Sequence, residues 1–221
     1  EHLCHKMQEN ELKFGVGRVR LSYDDFWCGV SRRRHEGIMD FEKNPRNLGD
    51  LLNTVWGKVY HQSLIPEFFF EQNVVIYEDT IAPYLLAMHA KKGYFTNKQI
   101  YFYQMRHDST LFQMTDSTAT VGLRNLYLCS MYRRKAFDKE GKLEDYISEL
   151  DAIDIRLFLQ RIQRVYRDKR IQNSTEISEI ILKMMTNCVP NWEKNSYYKE
   201  HFRTAELNDT LNACLAKFFL T

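Results

Sequence analysis

The stretch VVIYEDTIAPYLLAMHAKKGYF, Val74 to Phe95, decides the fold class. It opens on four β-branched and aromatic residues, Val74 to Tyr77, a run suited to a buried strand. Two acids follow, Glu78 and Asp79, and then an apolar run that predicts a helix from about Thr80 to Lys92. Pro83 falls in the first turn of that helix, where a missing amide is tolerated. Gly93 is the expected stop, because glycine readily adopts the left-handed conformation that ends helices. Strand ends in α/β folds open onto clefts, so this junction is also the first place to look for chemistry.

Upstream, residues 1 to 12 read as a helix. A strand is expected from Phe14 to Tyr23, where Phe14, Val16, Val19 and Leu21 alternate irregularly with Gly and Arg. The pair Gly15 and Gly17 lacks the third glycine of a dinucleotide fingerprint, since Arg20 stands there, and reads as backbone punctuation. Arg32, Arg33 and Arg34 begin a polar stretch to Asn47, read as a solvated connection. Residues 51 to 65, LLNTVWGKVYHQSLI, suit a strand or a tight packed turn around Gly57.

Downstream, Ile100 to Met105 is an aromatic run that predicts another strand. Beyond it the composition turns helical. Ile155, Leu159, Ile162 and Tyr166 recur at helical spacing, as do Ile177, Ile181 and Met184, and then Leu207, Leu211, Leu215 and Phe218. Ser174 or Thr175 is a candidate cap for the middle helix. The expected organisation is an α/β region over residues 1–115 and a helical region over 116–221.

Composition narrows the class. Hydrophobic residues make up 44% and aromatics 14% of 221 residues, too much apolar surface to leave solvated. Thirty-one basic against 29 acidic residues give a formal charge of +2, so no polyanionic partner is demanded and nucleic acid is not an expected partner. Five scattered cysteines form no CxxC pair, which predicts reduced thiols and a cytoplasmic setting. No stretch approaches the roughly 20 apolar residues of a membrane span.

The acidic pair could do base chemistry. The amides of the following helix favour an anion at Asp79, while Glu78 raises proton affinity by like-charge repulsion. An acidic pair ahead of a helix can equally serve as its cap. Trp56 offers a flat apolar face of the kind sugars pack on, and Lys58 a point charge for phosphate; a core tryptophan and a snorkelling surface lysine are the alternatives.

The run NTVWGKVYHQSLI, then YEDTIAPYLLAMHAKKGYF, then IYFYQMRHDST, residues 53 to 110 in order, resembles the second half of bacterial family 2 glycosyltransferases of GT-A type. That resemblance implies a GT-A-like mixed α/β sheet lacking its N-terminal nucleotide-binding strands, followed by a helical C-terminal region. It implies inverting transfer of a sugar from a nucleotide donor, a UDP-sugar by expectation, to a cell-surface glycan or lipid-linked acceptor. Asp79 would be the general base and Glu78 would orient it or shape the acceptor. Trp56 and Lys58 would border acceptor or donor diphosphate, and Arg106, with His107 second to it, would face the leaving diphosphate. The family often carries another arginine where this chain has Gln104.

The resemblance also implies Mg²⁺ or Mn²⁺ on a DxD-type motif. That motif is absent: Asp24 and Asp25 lack the alternating spacing, so no metal ligand is assigned, and the motif is expected just before Glu1. The expected setting is the cytoplasm, with contact at the inner face of the membrane as an option. Two other readings stay open. RLFLQRIQRVYRDKR, with Arg156, Arg161, Arg164, Arg167, Lys169 and Arg170, could make the chain a non-catalytic module binding nucleic acid or anionic membrane. A degenerate transferase that keeps the fold without the chemistry is the other.

Overall fold

The computed structural model describes residues 1–23, 26–30, 35–65, 77–105, 116–167 and 175–196. The chain is α/β overall, a mixed sheet with helices, and divides into two compact units: Glu1–Glu71 with Asp79–Gln113, and Gln72–Glu78 with Met114–Thr221.

In the first unit, helix α1 (His2–Glu9) leads into the central strand β1 (Phe14–Tyr23). Strand β2 (Phe26–Val30) returns antiparallel along Arg20 to Tyr23. Strand β3 (Gly37–Asp40), a short helix α2 (Arg46–Gly49) and strand β4 (Lys58–Tyr60) come next. Helix α3 (Ala82–Ala90) precedes the long strand β5 (Lys92–Met105). β5 runs parallel to β1 on one side and antiparallel to β3 on the other. β4 pairs antiparallel with Phe14 to Val16, so β2 and β4 share the remaining edge of β1.

The core of this unit follows from the apolar periodicity. Leu3 and Met7, four apart, bury one stripe of α1, while Phe14, Phe41, Tyr84 and Leu86 are fully or almost fully enclosed. Phe14 meets Phe41 and Tyr60 edge-on, each at 5.5 Å between ring centroids.

Three expectations need correction here. Gly93 does not stop α3. The chain turns at Lys91, with φ of 60°, and Gly93 is a buried residue of β5. A Cβ at Gly93 would lie 2.7 Å from the Phe14 ring and 3.0 Å from the Phe14 carbonyl oxygen, so glycine is there to let β1 and β5 close up. Second, the expected strand at Ile100 to Met105 is only the last part of β5, whose first half was hidden by Lys92, Asn97 and Lys98. Third, the stretch to Asn47 is not merely a solvated connection: it carries β3 and the start of α2 and buries Met39 and Phe41. Arg32, Arg33 and Arg34 lie outside the described residues. Residues 51–65 contain both of the expected alternatives, a turn around Gly57 followed by a three-residue strand, and then the 3₁₀ turn Gln62–Leu64.

The second unit contains helices α4 (Asp116–Lys139), α5 (Leu143–Arg167) and α6 (Thr175–Lys183), the last continuing as a π-helical turn, Met184–Cys188. Ile155, Leu159, Ile162, Ile177, Ile181 and Met184 are all buried, as their spacing requires. Thr175 is the first residue of α6, while Ser174 and the apolar run Leu207 to Phe218 lie outside the described residues. Polar groups also enter this core. Asp154, wholly buried, accepts from Ser130 at 2.6 Å, from Arg134 at 2.7 Å and from the buried Arg133. Such a network is tolerated because each buried charge finds an opposite one.

Of the expected strand at Val74 to Tyr77, Val74 to Ile76 lie outside the described residues, and Tyr77 is a bend with φ of 70°. Within the second unit the Cys129 thiol donates to the Tyr77 carbonyl at 3.3 Å, and the Arg161 guanidinium lies 5.6 Å over the Tyr77 ring.

Candidate functional site

The turn from Thr54 to Lys58 is tied down by its own side chains. The Thr54 hydroxyl donates to the Trp56 carbonyl at 3.3 Å, and the Lys58 ammonium donates back to the Thr54 carbonyl. The Tyr60 hydroxyl donates to the Val55 carbonyl at 3.1 Å, and the Gly17 amide to the Gly57 carbonyl at 3.2 Å. Gly57 makes the turn possible. Its φ is 73°, and a Cβ there would sit 2.5 Å from a Val19 methyl.

This turn presents Trp56 to β5. The indole lies nearly flat on Tyr103, 4.8 Å between centroids and 15° between planes, and on Tyr101, 5.3 Å and 13°. The two tyrosines are in position because β5 slips against β1. Phe95 faces Val16, Gln99 faces Arg18 and Tyr101 faces Val19, so β5 carries extra residues in this interval. Irregularities of this kind bend a strand and re-aim its side chains. The Glu36 carboxylate supports the slipped segment, accepting from the Asn97 amide at 3.0 Å and from the Thr96 hydroxyl at 3.2 Å. Those bonds, the Asn97 amide first, hold its carboxyl below the usual range. A cavity of about 440 Å³ adjoins the turn, lined by Lys58, Gly57, Lys98, Tyr101 and the start of α1.

Asp79 sits in the 3₁₀ turn Glu78–Thr80, partly buried, ahead of α3. The N-cap position of α3 belongs to Ile81, whose side chain makes no capping bond. The acidic pair therefore stands before the helix without occupying its N-cap position. Asp79 is near enough for its charge to act on Tyr60. Burial first, and that charge second, push the Tyr60 phenol well above its ordinary value of 10. Tyr60 stays protonated across the neutral range and keeps donating to Val55.

The first unit thus brings Trp56 and Lys58 onto one turn, and the charge of Asp79 acts on Tyr60, whose hydroxyl bonds that turn. Glu78 opens the same 3₁₀ turn, and its side chain lies outside what the structure describes. Arg106 and His107 lie outside the described residues. Lys58 does not behave as a free surface lysine, since its ammonium is engaged by Thr54. Trp56 is neither a core tryptophan nor an open platform: it is half-buried, with its plane laid against the two tyrosines. Tyr60, Tyr101, Tyr103 and Glu36 were not singled out by sequence. The i, i+2 pair of tyrosines carried a signal, whereas Tyr60 and Glu36 had none beyond proximity to other candidates.

The basic helix fares differently. Arg161 is buried against Tyr77, so it is not part of a solvated cationic face. Arg156 is partly buried, and the side chains from Arg164 to Arg170 lie outside the described residues. No helix among the described residues is long and apolar enough to cross a membrane. No family model matches this chain, and no curated protein matches it.

Proposed function

We propose that this chain is the acceptor side of a family 2 glycosyltransferase of GT-A type, which transfers a sugar with inversion from a nucleotide donor, a UDP-sugar, to a cell-surface glycan or a lipid-linked acceptor. The observation that carries the reading is Asp79: a partly buried carboxylate ahead of α3, off the helix's N-cap position and near enough for its charge to act on Tyr60, whose hydroxyl anchors the turn bearing Trp56. The ordered resemblance over residues 53 to 110 supplies the reaction class.

In this mechanism Asp79 takes the proton from an acceptor hydroxyl as its oxygen attacks the anomeric carbon. The new C–O bond forms as the bond to the nucleotide diphosphate breaks, and the proton ends on Asp79. Trp56 gives the acceptor an aromatic edge, and Lys58 and Arg106 supply positive charge for the departing diphosphate. The resemblance implies a divalent cation against that diphosphate. Among the described residues no cluster of three His, Cys, Asp or Glu could hold one, so such an ion would need ligands beyond them. The setting this implies is the cytoplasm, at the inner face of the membrane.

The test is Asp79→Asn in the full-length protein, assayed with a UDP-sugar and Mn²⁺. Turnover is expected to fall by roughly 10²- to 10⁴-fold, the usual weight of a positioned general base. Undiminished turnover would remove Asp79 as the base, and absence of transfer by the parent protein would favour the degenerate transferase.

A further inference from the structure

We infer that the cavity beside the Trp56 turn is a binding site for an acidic saccharide, whose negative group is held at Lys98 and whose ring and hydroxyls meet Tyr101 and Gln99; naming that saccharide as the acceptor rests on the transferase assignment above.

The cavity measures about 440 Å³, within the roughly 300–1,000 Å³ usual for a small-molecule site. What marks it is the way β5 lines it. Lys98, Gln99, Ile100 and Tyr101, four successive residues, all border the same space. A regular strand turns alternate side chains to opposite faces and would offer only two of the four. The irregular pairing with β1 supplies the others: Gln99 faces Arg18 and Tyr101 faces Val19, so two residues of β5 advance against one of β1. Such an irregularity re-aims side chains out of their alternation. Ile100 pins it to the sheet by lying over Gly17, where a Cβ would come 2.5 Å from the Ile100 side chain.

The chemistry gathered there is that of an anion bearing hydroxyls. Lys98 and Gln99 are exposed, and among the described residues the Lys98 ammonium and the Gln99 amide hold no ion pair or hydrogen bond. An ammonium binds a carboxylate or a phosphate, while a carboxamide both donates to and accepts from a hydroxyl. Tyr101, 37% exposed, adds an aromatic wall of the kind sugars pack on. The Trp56 indole stacked on it, 5.3 Å and 13° away, fixes its plane. Lys58 lines the cavity from the turn, and the one acid of the lining is Glu1. A neutral sugar would leave the Lys98 charge unanswered, whereas an acidic one meets it.

The experiment is an NMR titration of the full-length protein with glucuronate, glucose 6-phosphate and, as the neutral control, methyl glucoside. At least one acidic probe is expected to bind about tenfold more tightly than methyl glucoside, the weight of one hydrogen bond to a charged group. Tighter binding of glucuronate marks the ligand as a uronic acid and of glucose 6-phosphate as a sugar phosphate; either supports the inference. Lys98→Gln removes the charge at an exposed position and should erase the preference. Lys43→Gln, at an exposed lysine outside the lining, should keep it. Equal affinity for all three probes overturns the inference, as does a preference that survives Lys98→Gln. Displacement of the acidic probe by UDP overturns it too, because the cavity would then hold the donor's diphosphate. In transfer from a UDP-sugar with Mn²⁺, Lys98→Gln should raise KM for an acidic acceptor about tenfold with kcat within about twofold. Binding that depends on Lys98 in a protein that transfers no sugar sinks the transferase assignment and leaves the site standing. Transfer to neutral acceptors with no preference set by Lys98 sinks the inference and leaves the assignment, so the two failures are told apart.

Discussion

A single backbone angle at Gly57 sets the direction in which Trp56 leaves the chain. Any side chain at position 57 must adopt a left-handed conformation and also displace Val19. Gly57→Ala should therefore cost about 2 kcal/mol or more, from backbone strain plus overpacking, read as a lower denaturation midpoint. The indole itself is a separate matter. Trp56→Ala leaves Tyr101 and Tyr103 without their stacking partner. On the proposed transferase reading it should weaken acceptor binding by about tenfold, with Trp56→Phe in between. Equal acceptor affinity in all three proteins would make the stack structural. Lys91 is the converse of Gly57: a lysine held at φ of 60° where glycine would be at ease. Its ion pair with Glu42, 3.5 Å and solvent-exposed, is worth little. Lys91→Gly should raise stability by about 0.5 kcal/mol, the relief of strain less the entropy that glycine loses.

At the scale of the element, β5 matters most, because its slip against β1 is what aims the two tyrosines. Glu36 supports that slip as an ion. Since its folded pKa lies below the ordinary 4.5, the folded state binds fewer protons than the unfolded one between those two values. Its contribution is complete above about pH 4.5 and is lost as pH falls through the folded pKa. Glu36→Gln should make the pH dependence of the melting temperature shallower below about pH 4.5. The change will be small, because the carboxylate is 36% exposed and well screened. An unchanged slope would take Glu36 out of the support of β5.

At the scale of the whole molecule, two units rest on different physics. The first is held by strand pairing and an aromatic core around Phe14. The second is a helical unit with charge at its centre, where Arg133 and Asp154 are 1% and 0% exposed. Removing one partner from such a pair leaves a buried charge uncompensated. Asp154→Asn is expected to cost about 3–5 kcal/mol in chemical denaturation of the full chain. Cys188 lies in the same surroundings. Burial first, then the charge of Asp154, push its thiol up to about 11, against a contrary pull from Ser130 and the arginines. Native labelling resolved by peptide should accordingly modify the exposed Cys4 well before Cys188 or Cys129.

The regular elements with clean periodicity were legible in the amino-acid order. The span Phe14–Tyr23 matches β1, and the stripes from Ile155 to Ile162 and from Ile177 to Met184 are buried, because burial selects apolar residues at the spacing of the element. Asp79, Trp56 and Lys58 were visible as residue types in an ordered block. What composition could not carry was how distant segments meet. Gly93 looks like a helix stop until Phe14 is set against it, and Lys92, Asn97 and Lys98 break the pattern of β5 because their strand positions are not buried. Arg161 looks solvated until Tyr77 lies beneath it. Tyr60 had no local mark at all: its hydroxyl reaches the Val55 carbonyl, and the charge that acts on it belongs to Asp79, nineteen residues away in sequence. Periodicity records which face of an element is buried, while the partner on that face is chosen by packing across the chain.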